Sequence, residues 1–405
     1  MLVALCLIAA TTQQAPQARL LEALQQNRLP LTLSDGRPAG PGWDLLVREA
    51  KNVRFTLIGE EHGVAETAQL AAALFSALRP AGYSRFAIEL SPPIAQDVEA
   101  AARRNGQRGI EDFLSQPNLF TFSNLHEETR LLADVVQSSP QNQRVLFGFD
   151  REVFNDRYLI SKLEPKVPAG ARAAFARLKD ASTNAGAKNA QTHNPDDLFF
   201  LSQDSALASS LRAAWPNPDR ETDAVLRTLE ASLAIETAER AGGAWPYAER
   251  RAQWFRSNLA DLVRTGSAKI LMKFGYNHMI RGANYVNAFD LGTMADEVAA
   301  LTGERAFHIL VLPGPGSYQA VLGGAGFAPV SSDEFDEFKA GDQRLTRVLS
   351  NANATGHEVI DLRPLRRLAM RGLESWNADV VRTIYGYDAV VIWKGGHAES
   401  GLTAP

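Results

Sequence analysis

The chain has 405 residues, which exceeds the about 100–200 residues of an average domain and excludes a single small module. Hydrophobic residues make up 45% and charged residues 22%, as in globular rather than disordered chains. The 42 Lys and Arg against 46 Asp and Glu give a net charge of −4, which excludes a nucleic-acid binder that works through bulk positive charge, and the single cysteine excludes a disulfide framework and a cysteine-based zinc site.

The N-terminus carries an uncharged apolar run, MLVALCLIAA, followed by a polar stretch that ends at Pro16. This pattern resembles the apolar and cleavage regions of a secretory signal without its usual basic start. We predict that residues 1–15 are a leader remnant and that the protein is exported, to the periplasm or outside the cell; a frayed N-terminus in a cytoplasmic protein is the alternative. No later segment offers the roughly 18 uncharged apolar residues that an integral membrane segment needs.

Seven short apolar runs, most of them followed by a segment of helical periodicity, predict the strands of one sheet. Because these runs are continuous rather than alternating, both faces of the sheet are expected to be covered, which is typical of a mostly parallel sheet flanked by helices in an α/β fold. The runs are Val53–Gly59, Arg85–Leu90, Arg144–Phe149, Lys269–Gly275, Phe307–Pro313, Val359–Leu362 and Ala389–Lys394.

A large helical insertion is predicted between the third and fourth of these strands. Residues 151–267 lack a comparable strand run and are rich in helix-forming residues at helical spacing, for example in Thr222–Arg240. The α/β domain would therefore have a first half at 16–150 and a second half at 268–405. The polar, Asn-rich stretch at 181–196 is predicted to be a mobile loop.

Polar residues follow or end four of the predicted strands, at the edge where doubly wound sheets bind ligands. In an extended strand Glu60 and His62 project to one face and Glu61 to the other. A carboxylate beside a neutral imidazole fixes its tautomer and raises its basicity, as a general base acting on water requires. Taken singly, each such residue could instead belong to a turn, a helix cap or an ion pair. The candidates are Glu60, His62, Glu89, Asp150, Arg151, Tyr276, Asn277 and His278.

At these positions the chain resembles the erythromycin esterase-like family, within a superfamily that also holds ChaN-like haem-uptake proteins and, more distantly, the Tiki and TraB proteins. The first pair departs from the esterase spacing Gly-Glu-x-x-His, because only Glu61 separates Glu60 from His62. This spacing is closer to the ChaN-like branch and gives no support for macrolide specificity. The matching motifs, in family order, are Leu57–Gly63 with Glu66, Gly82–Glu89, Gly148–Asp150, Arg251 with Asn258, Asn277–Ile280 and Asp290–Met294.

The resemblance implies a metal-independent hydrolase that cleaves an ester or related bond in a small-molecule substrate. His62 would activate water and Glu60 would orient His62. Glu89 and His278 would hold substrate or water and stabilise the developing oxyanion. The residues expected to bind substrate are Asp150, Arg151, Asn277, Tyr276 and Arg251.

Two alternatives use the same edge of the sheet. In the first, His62, His278, Glu60 and Glu89 bind a divalent metal such as Zn, Mn or Fe, with an open position for water. In the second, the protein is a ChaN-like binder of haem or an iron compound, with Tyr276, Tyr285 or His278 as the axial ligand.

Overall fold

The structure, a computed structural model, describes residue 19 and residues 22–323, 326–332, 356–372 and 378–402. The predicted leader at 1–15 lies outside these residues. The fold class is α/β, as predicted, with a mixed sheet whose central strands are parallel. The strands are β1 Arg28–Ser34, β2 Arg37–Ala39, β3 Phe55–Glu60, β4 Tyr83–Ile88, β5 Leu146–Gly148, β6 Lys269–Gly275, β7 Ala306–Pro313, β8 Tyr318–Gly323, β9 Gly326–Ser331, β10 His357–Asp361 and β11 Ala389–Trp393.

Helices connect these strands and dominate the middle of the chain. The α-helices are α1 Pro41–Lys51, α2 Ala65–Leu78, α3 Pro92–Leu114, α4 His126–Gln137, α5 Asp156–Leu163, α6 Arg172–Thr192, α7 Phe199–Ser202, α8 Ala206–Ala214, α9 Arg220–Gly242, α10 Ala244–Arg264, α11 Tyr276–Met279, α12 Leu291–Leu301, α13 Arg366–Gly372 and α14 Ala378–Gly386. Short 3-10 helices are Arg79–Ala81, Glu164–Lys166, Ala169–Ala171, Pro195–Asp197 and Arg363–Leu365. Among the described helices, none combines the length and apolar character needed to cross a bilayer.

The chain folds as two compact units. The first contains the described residues up to 83, 271–285 and 292–400. Its strands follow the order β2-β1-β10-β11-β7-β3-β6. β11 and β3 both pair in parallel with β7, with Val391 opposite Val311 and Ile58 opposite Ile309. Every residue of β3, β7 and β11 is buried, so the continuous apolar runs do mark strands that are covered on both faces.

The second unit contains residues 84–270, 286–291 and the described residues from 401. β4 and β5 pair in parallel, with Phe86 opposite Leu146. Between β5 and β6 the described chain holds helices but no strand, which confirms the helical insertion; the domain boundaries at 16–150, 151–267 and 268–405 stay a prediction. The insertion packs around its own apolar core, which includes Leu159, Phe175, Phe200, Leu211, Trp215 and Leu229.

The loop predicted at 181–196 is largely wrong, because α6 continues through it to Thr192. Alanines at helical spacing favour the helix, and Ser182 and Ala185 are buried on its inner face. Packing of this face outweighs the weak helix propensity of the Asn residues. The helix ends at His193, which adopts the left-handed conformation at φ +51°.

Asp388, just before β11, is a buried carboxylate held by three donors of the first unit. The Nη2 atoms of Arg281 and Arg366 lie 3.1 and 2.6 Å from its oxygens, and the backbone N–H of His308 donates to it at 2.9 Å. Burial alone would raise the pKa of Asp388, but Arg281, His308 and Arg366 outweigh burial and lower it to about 2.

We expect the stabilisation from Asp388 to fade in acid. A carboxylate whose pKa is depressed in the folded state stabilises the fold above its unfolded pKa, and this contribution is lost as the pH falls towards the folded value. From pH 6 to pH 3 the loss should be about 1 kcal/mol. Urea unfolding of the wild type and Asp388→Asn at both pH values checks this, since the difference in unfolding free energy should shrink at pH 3. A difference independent of pH would contradict it.

Candidate active site

The end of β3 and the turn after it place Glu60 beside His62. Nδ1 of His62 lies 3.0 Å from Oε1 of Glu60, the pairing that strand alternation predicts. The Glu60 side chain is 5% exposed and that of His62 59% exposed. Gly63 then turns the chain into α2 at φ +84°, and a Cβ at this position would lie 2.4 Å from the carbonyl oxygen of Ala320. Only glycine fits this turn.

Lys273 of β6 is the third member of this cluster, and the sequence analysis missed it. Its Nζ lies 2.5 Å from Oε1 of Glu60, and its side chain is 3% exposed. The ammonium and the imidazole therefore contact the same carboxylate oxygen. Burial would raise the pKa of Glu60, but Lys273 and His62 together lower it below its ordinary value. Glu60 is thus held as a carboxylate in a buried position.

Three of the predicted site residues lie on α11, a single helical turn packed against β3. A Cβ on Gly59 of β3 would lie 2.9 Å from Cα of Tyr276 and 3.0 Å from Cβ of Met279, so the two elements touch. Oδ1 of Asn277 accepts the backbone N–H of Tyr285 at 3.0 Å. The Tyr276 and Tyr285 rings meet edge to face at 5.4 Å. α11 therefore carries Tyr276, Asn277 and half-buried His278 next to the strand that ends at Glu60.

A second carboxylate and imidazole pair lies in the first unit where α2 begins. Nδ1 of His397 is 2.6 Å from Oε1 of Glu66, and the His397 side chain is 81% exposed. The backbone supports the pair, because the N–H of Ala65 donates to the carbonyl of His397 at 2.9 Å. His397 is 331 residues from Glu66, so local sequence patterns could not reveal this contact.

In the second unit, Arg251 of α10 joins two of the predicted residues. Its Nε and Nη2 lie 3.0 and 2.6 Å from the two oxygens of Asp150, and Nη2 is 2.5 Å from Oε1 of Glu89. Burial would lower the pKa of Arg251, but Asp150, Tyr247 and Glu89 raise it well above its ordinary value. The structure therefore brings Glu89, Asp150 and Arg251 together in one largely buried ion network.

Arg151 extends this network to a residue that sequence reasoning missed. Its Nε is 2.5 Å from Oε1 of Glu236 on α9, and the two side chains are 12% and 2% exposed. Its guanidinium also lies over the Tyr247 ring, 5.2 Å from the centroid. A glutamate in a helix rich in charged residues resembles a solvated residue, so Glu236 carried no signal without the packing of α9.

One face of α10 forms hydrogen bonds with the backbone of the residues that follow β5. Nε1 of Trp254 donates to the carbonyl of Asp150 at 2.9 Å, and Nδ2 of Asn258 donates to the carbonyl of Phe149 at 2.9 Å. With Arg251, these residues recur at three- and four-residue spacing and so share one helix face. The face satisfies backbone groups that would otherwise be buried without partners where the strand ends.

We expect Arg251→Lys to destabilise the protein by about 1–3 kcal/mol, because an ammonium cannot reproduce the paired contacts of the guanidinium with Asp150. Urea unfolding at neutral pH measures the change. The neighbouring Arg250 is exposed, so Arg250→Lys is the matched control and should stay within about 0.5 kcal/mol of the wild type. Equal effects of the two substitutions would show that the buried network does not depend on the fork geometry.

The metal and haem alternatives stay predictions. Within the described ranges, no three His, Cys, Asp or Glu side chains are gathered closely enough to hold a metal ion. The buried oxygen of Glu60 instead contacts the Lys273 ammonium. Of the side chains proposed as haem ligands, the Tyr285 hydroxyl shares a hydrogen bond of 2.8 Å with Oγ1 of Thr383.

No known family model matches this chain, and no curated protein sequence matches it significantly. Among solved structures, a succinoglycan biosynthesis protein has a TM-score of 0.63 at 11% identity, covering 95% of this chain and 98% of that one. A protein from Bacillus cereus has a TM-score of 0.60 at 14% identity, covering 96% and 99%.

A mutant of the erythromycin esterase EreC in its open conformation also matches, with a TM-score of 0.59 at 12% identity, covering 89% of this chain and 94% of the esterase. Identities this low establish a shared fold and leave function to be argued from the site. The predicted resemblance is confirmed at the level of the fold, which is of the erythromycin esterase type.

Proposed function

We propose that this protein, whose fold is that of an erythromycin esterase, is a hydrolase that activates water with His62 to cleave an ester or related acyl bond. The observation that carries the proposal is the Glu60 to His62 contact of 3.0 Å. It joins a buried carboxylate, whose pKa is lowered, to an imidazole whose side chain is 59% exposed. This arrangement suits a general base.

The geometry assigns a role to each ring nitrogen. Glu60 is a carboxylate and accepts, so Nδ1 of His62 carries the hydrogen and the lone pair lies on Nε2. In the proposed reaction Nε2 takes a proton from water as the water oxygen bonds to the acyl carbon. The tetrahedral intermediate then expels the alkoxide, which recovers the proton from His62. Glu60 stabilises the imidazolium in between without being protonated itself.

His278 is the proposed second imidazole of this chemistry, in the same unit. α11 carries it on the turn that packs against Gly59 of β3, the residue before Glu60. An imidazole donor at this place would hold the substrate carbonyl or stabilise the charge that develops on its oxygen. The catalytic role predicted for Glu89 and the substrate-binding roles predicted for Asp150, Arg151 and Arg251 are separate hypotheses, which the Glu60 and His62 chemistry does not require.

Turnover of a panel of chromogenic esters and lactones tests the proposal. We expect saturable hydrolysis by the wild type that survives prior dialysis against a chelator, because the proposed base needs no metal. Activity that disappears on dialysis and returns with Zn²⁺ or Mn²⁺ would overturn the metal-independent mechanism. Absence of turnover across acyl chains and leaving groups of widely different size would overturn the hydrolase assignment itself.

A further inference from the structure

α11 is too short to form internal hydrogen bonds to its own carbonyl groups. A helix leaves its last four carbonyl groups without partners inside the helix, and α11 consists of four residues, Tyr276–Met279. Its carbonyls therefore depend on donors from elsewhere in the fold. The Tyr387 hydroxyl donates to the carbonyl of Tyr276. Nδ1 of His308 lies 2.7 Å from the carbonyl oxygen of Met279, the residue that follows His278.

His308 is an unexpected residue at its position. It is fully buried on β7, whose sequence AFHILVLP is otherwise apolar. Since a carbonyl oxygen only accepts hydrogen bonds, Nδ1 must be the nitrogen that carries the hydrogen. Nε2 is buried and has no hydrogen-bond partner among the described residues; Oδ1 of Asp296 lies 3.9 Å from it.

The two ring nitrogens of His308 differ in what they contribute to the fold. A buried nitrogen without a partner is unfavourable, and an apolar side chain at position 308 would avoid it. The imidazole must therefore contribute something else to offset that cost. Of the two ring contacts, the one at hydrogen-bonding distance is Nδ1 to the carbonyl of Met279 at 2.7 Å, next to His278 on the same turn, whereas the Asp296 carboxylate stays 3.9 Å from Nε2.

We propose that His308 is a positioning residue for the active site: by donating Nδ1–H to the carbonyl of Met279, it fixes the α11 turn and with it the orientation of His278. The inference rests on the proposed function, because it assigns His308 a role through His278. It adds a residue from a different strand of the first unit, one without any direct part in the chemistry.

Two substitutions distinguish the contributions of the two ring nitrogens of His308. The amide nitrogen of Asn takes the place of Nδ1, whereas that of Gln takes the place of Nε2. We expect His308→Asn to keep kcat within about twofold of the wild type and His308→Gln to lower kcat about tenfold or more with KM little changed, on an ester that the wild type hydrolyses. If His308 only stabilised the fold, kcat of each variant would follow its free energy of unfolding, whichever ring nitrogen the new side chain replaces. Equal kcat values for the two variants would overturn the proposal.

The hydrogen bond from Nδ1 of His308 to the carbonyl of Met279 is called the clamp below. Hydrogen exchange tests this clamp without a substrate. Backbone amides of residues 277–281 should exchange about tenfold faster in His308→Gln than in His308→Asn. If exchange separates the variants while no ester is turned over by the wild type, the clamp stands and the hydrolase assignment fails. If exchange does not separate them, the clamp itself is wrong. Should His308→Gln fail to fold, His308→Leu removes the same donor with an apolar side chain of similar volume and should likewise lower kcat and speed this exchange; unchanged kcat and exchange would overturn the proposal.

Discussion

Replacing His62 by Asn should lower kcat on a hydrolysable ester by about 10²–10⁴-fold, the usual contribution of a general base. The Asn amide nitrogen can still donate to Oε1 of Glu60 in place of Nδ1, but it offers no basic nitrogen at the position of Nε2. Because the His62 side chain is 59% exposed, the free energy of unfolding should change by no more than about 0.5 kcal/mol. Steady-state kinetics and urea unfolding of the same preparations check the two halves of this expectation.

His193 supplies the matched control, since it is also an exposed histidine. It lies at the C-terminal end of α6 with φ +51°, a conformation that Asn tolerates well. His193→Asn should leave kcat and stability unchanged. If His62→Asn retains most of the wild-type turnover, the base is another group and the assignment of His62 is wrong. If both variants lose activity to the same extent, the loss reflects something other than the Glu60 pair.

The Glu60 and His62 pair could be predicted because its geometry is local. Two residues separated by one in an extended strand share a face; β3 is extended only to Glu60, and His62, in the turn that follows, still makes the contact that this alternation predicts. The same reasoning works for the face of α10 that carries Arg251 and Asn258, because helical spacing alone places them together. Such relations within one strand or helix do not depend on which elements become neighbours in the fold.

Lys273 and Glu236 could not be found in this way, although Lys273 stands out in its sequence context. Lys273 interrupts the apolar run KILMKFG, where an unpaired charge would be costly, but its partner lies 213 residues away. Glu236 needed the packing of α9 beside Arg151. Both contacts depend on which elements become neighbours, and a single sequence does not specify that.

The strands that the sequence analysis missed have a common cause. β1 and β2 pair antiparallel at the edge of the sheet, and β8 and β9 form a separate two-stranded sheet. They are partly exposed and contain Pro30, Pro38 and Pro329. Proline is tolerated on edge strands, but it weakens the strand signal in a sequence. The strands that gave continuous apolar runs are the more deeply buried ones.

Replacing Lys273 by Met should destabilise the protein by about 3–5 kcal/mol, because it leaves the Glu60 carboxylate buried without its ammonium partner. Methionine has a similar length and fills the same space, so the loss of packing should be small. Without Lys273, burial would raise the pKa of Glu60. Protonation then relieves the buried charge in acid, so the destabilisation should be greater at pH 8 than at pH 5. Urea unfolding at the two pH values measures both effects.

A double-mutant cycle isolates the Lys273 to Glu60 pair. Glu60→Gln removes the charge that Lys273 balances, and the double variant Lys273→Met with Glu60→Gln should lose less stability than the sum of the single changes. Lys179→Met provides the comparison, because its ion pair with Glu164 is about half exposed on both sides, at 48% and 51%, and such a pair is worth no more than about 1 kcal/mol. Additive single changes in the cycle would mean that the cluster stabilises Glu60 by some other contact. In that case the lowered pKa of Glu60, on which the orientation of His62 depends, would need a different cause.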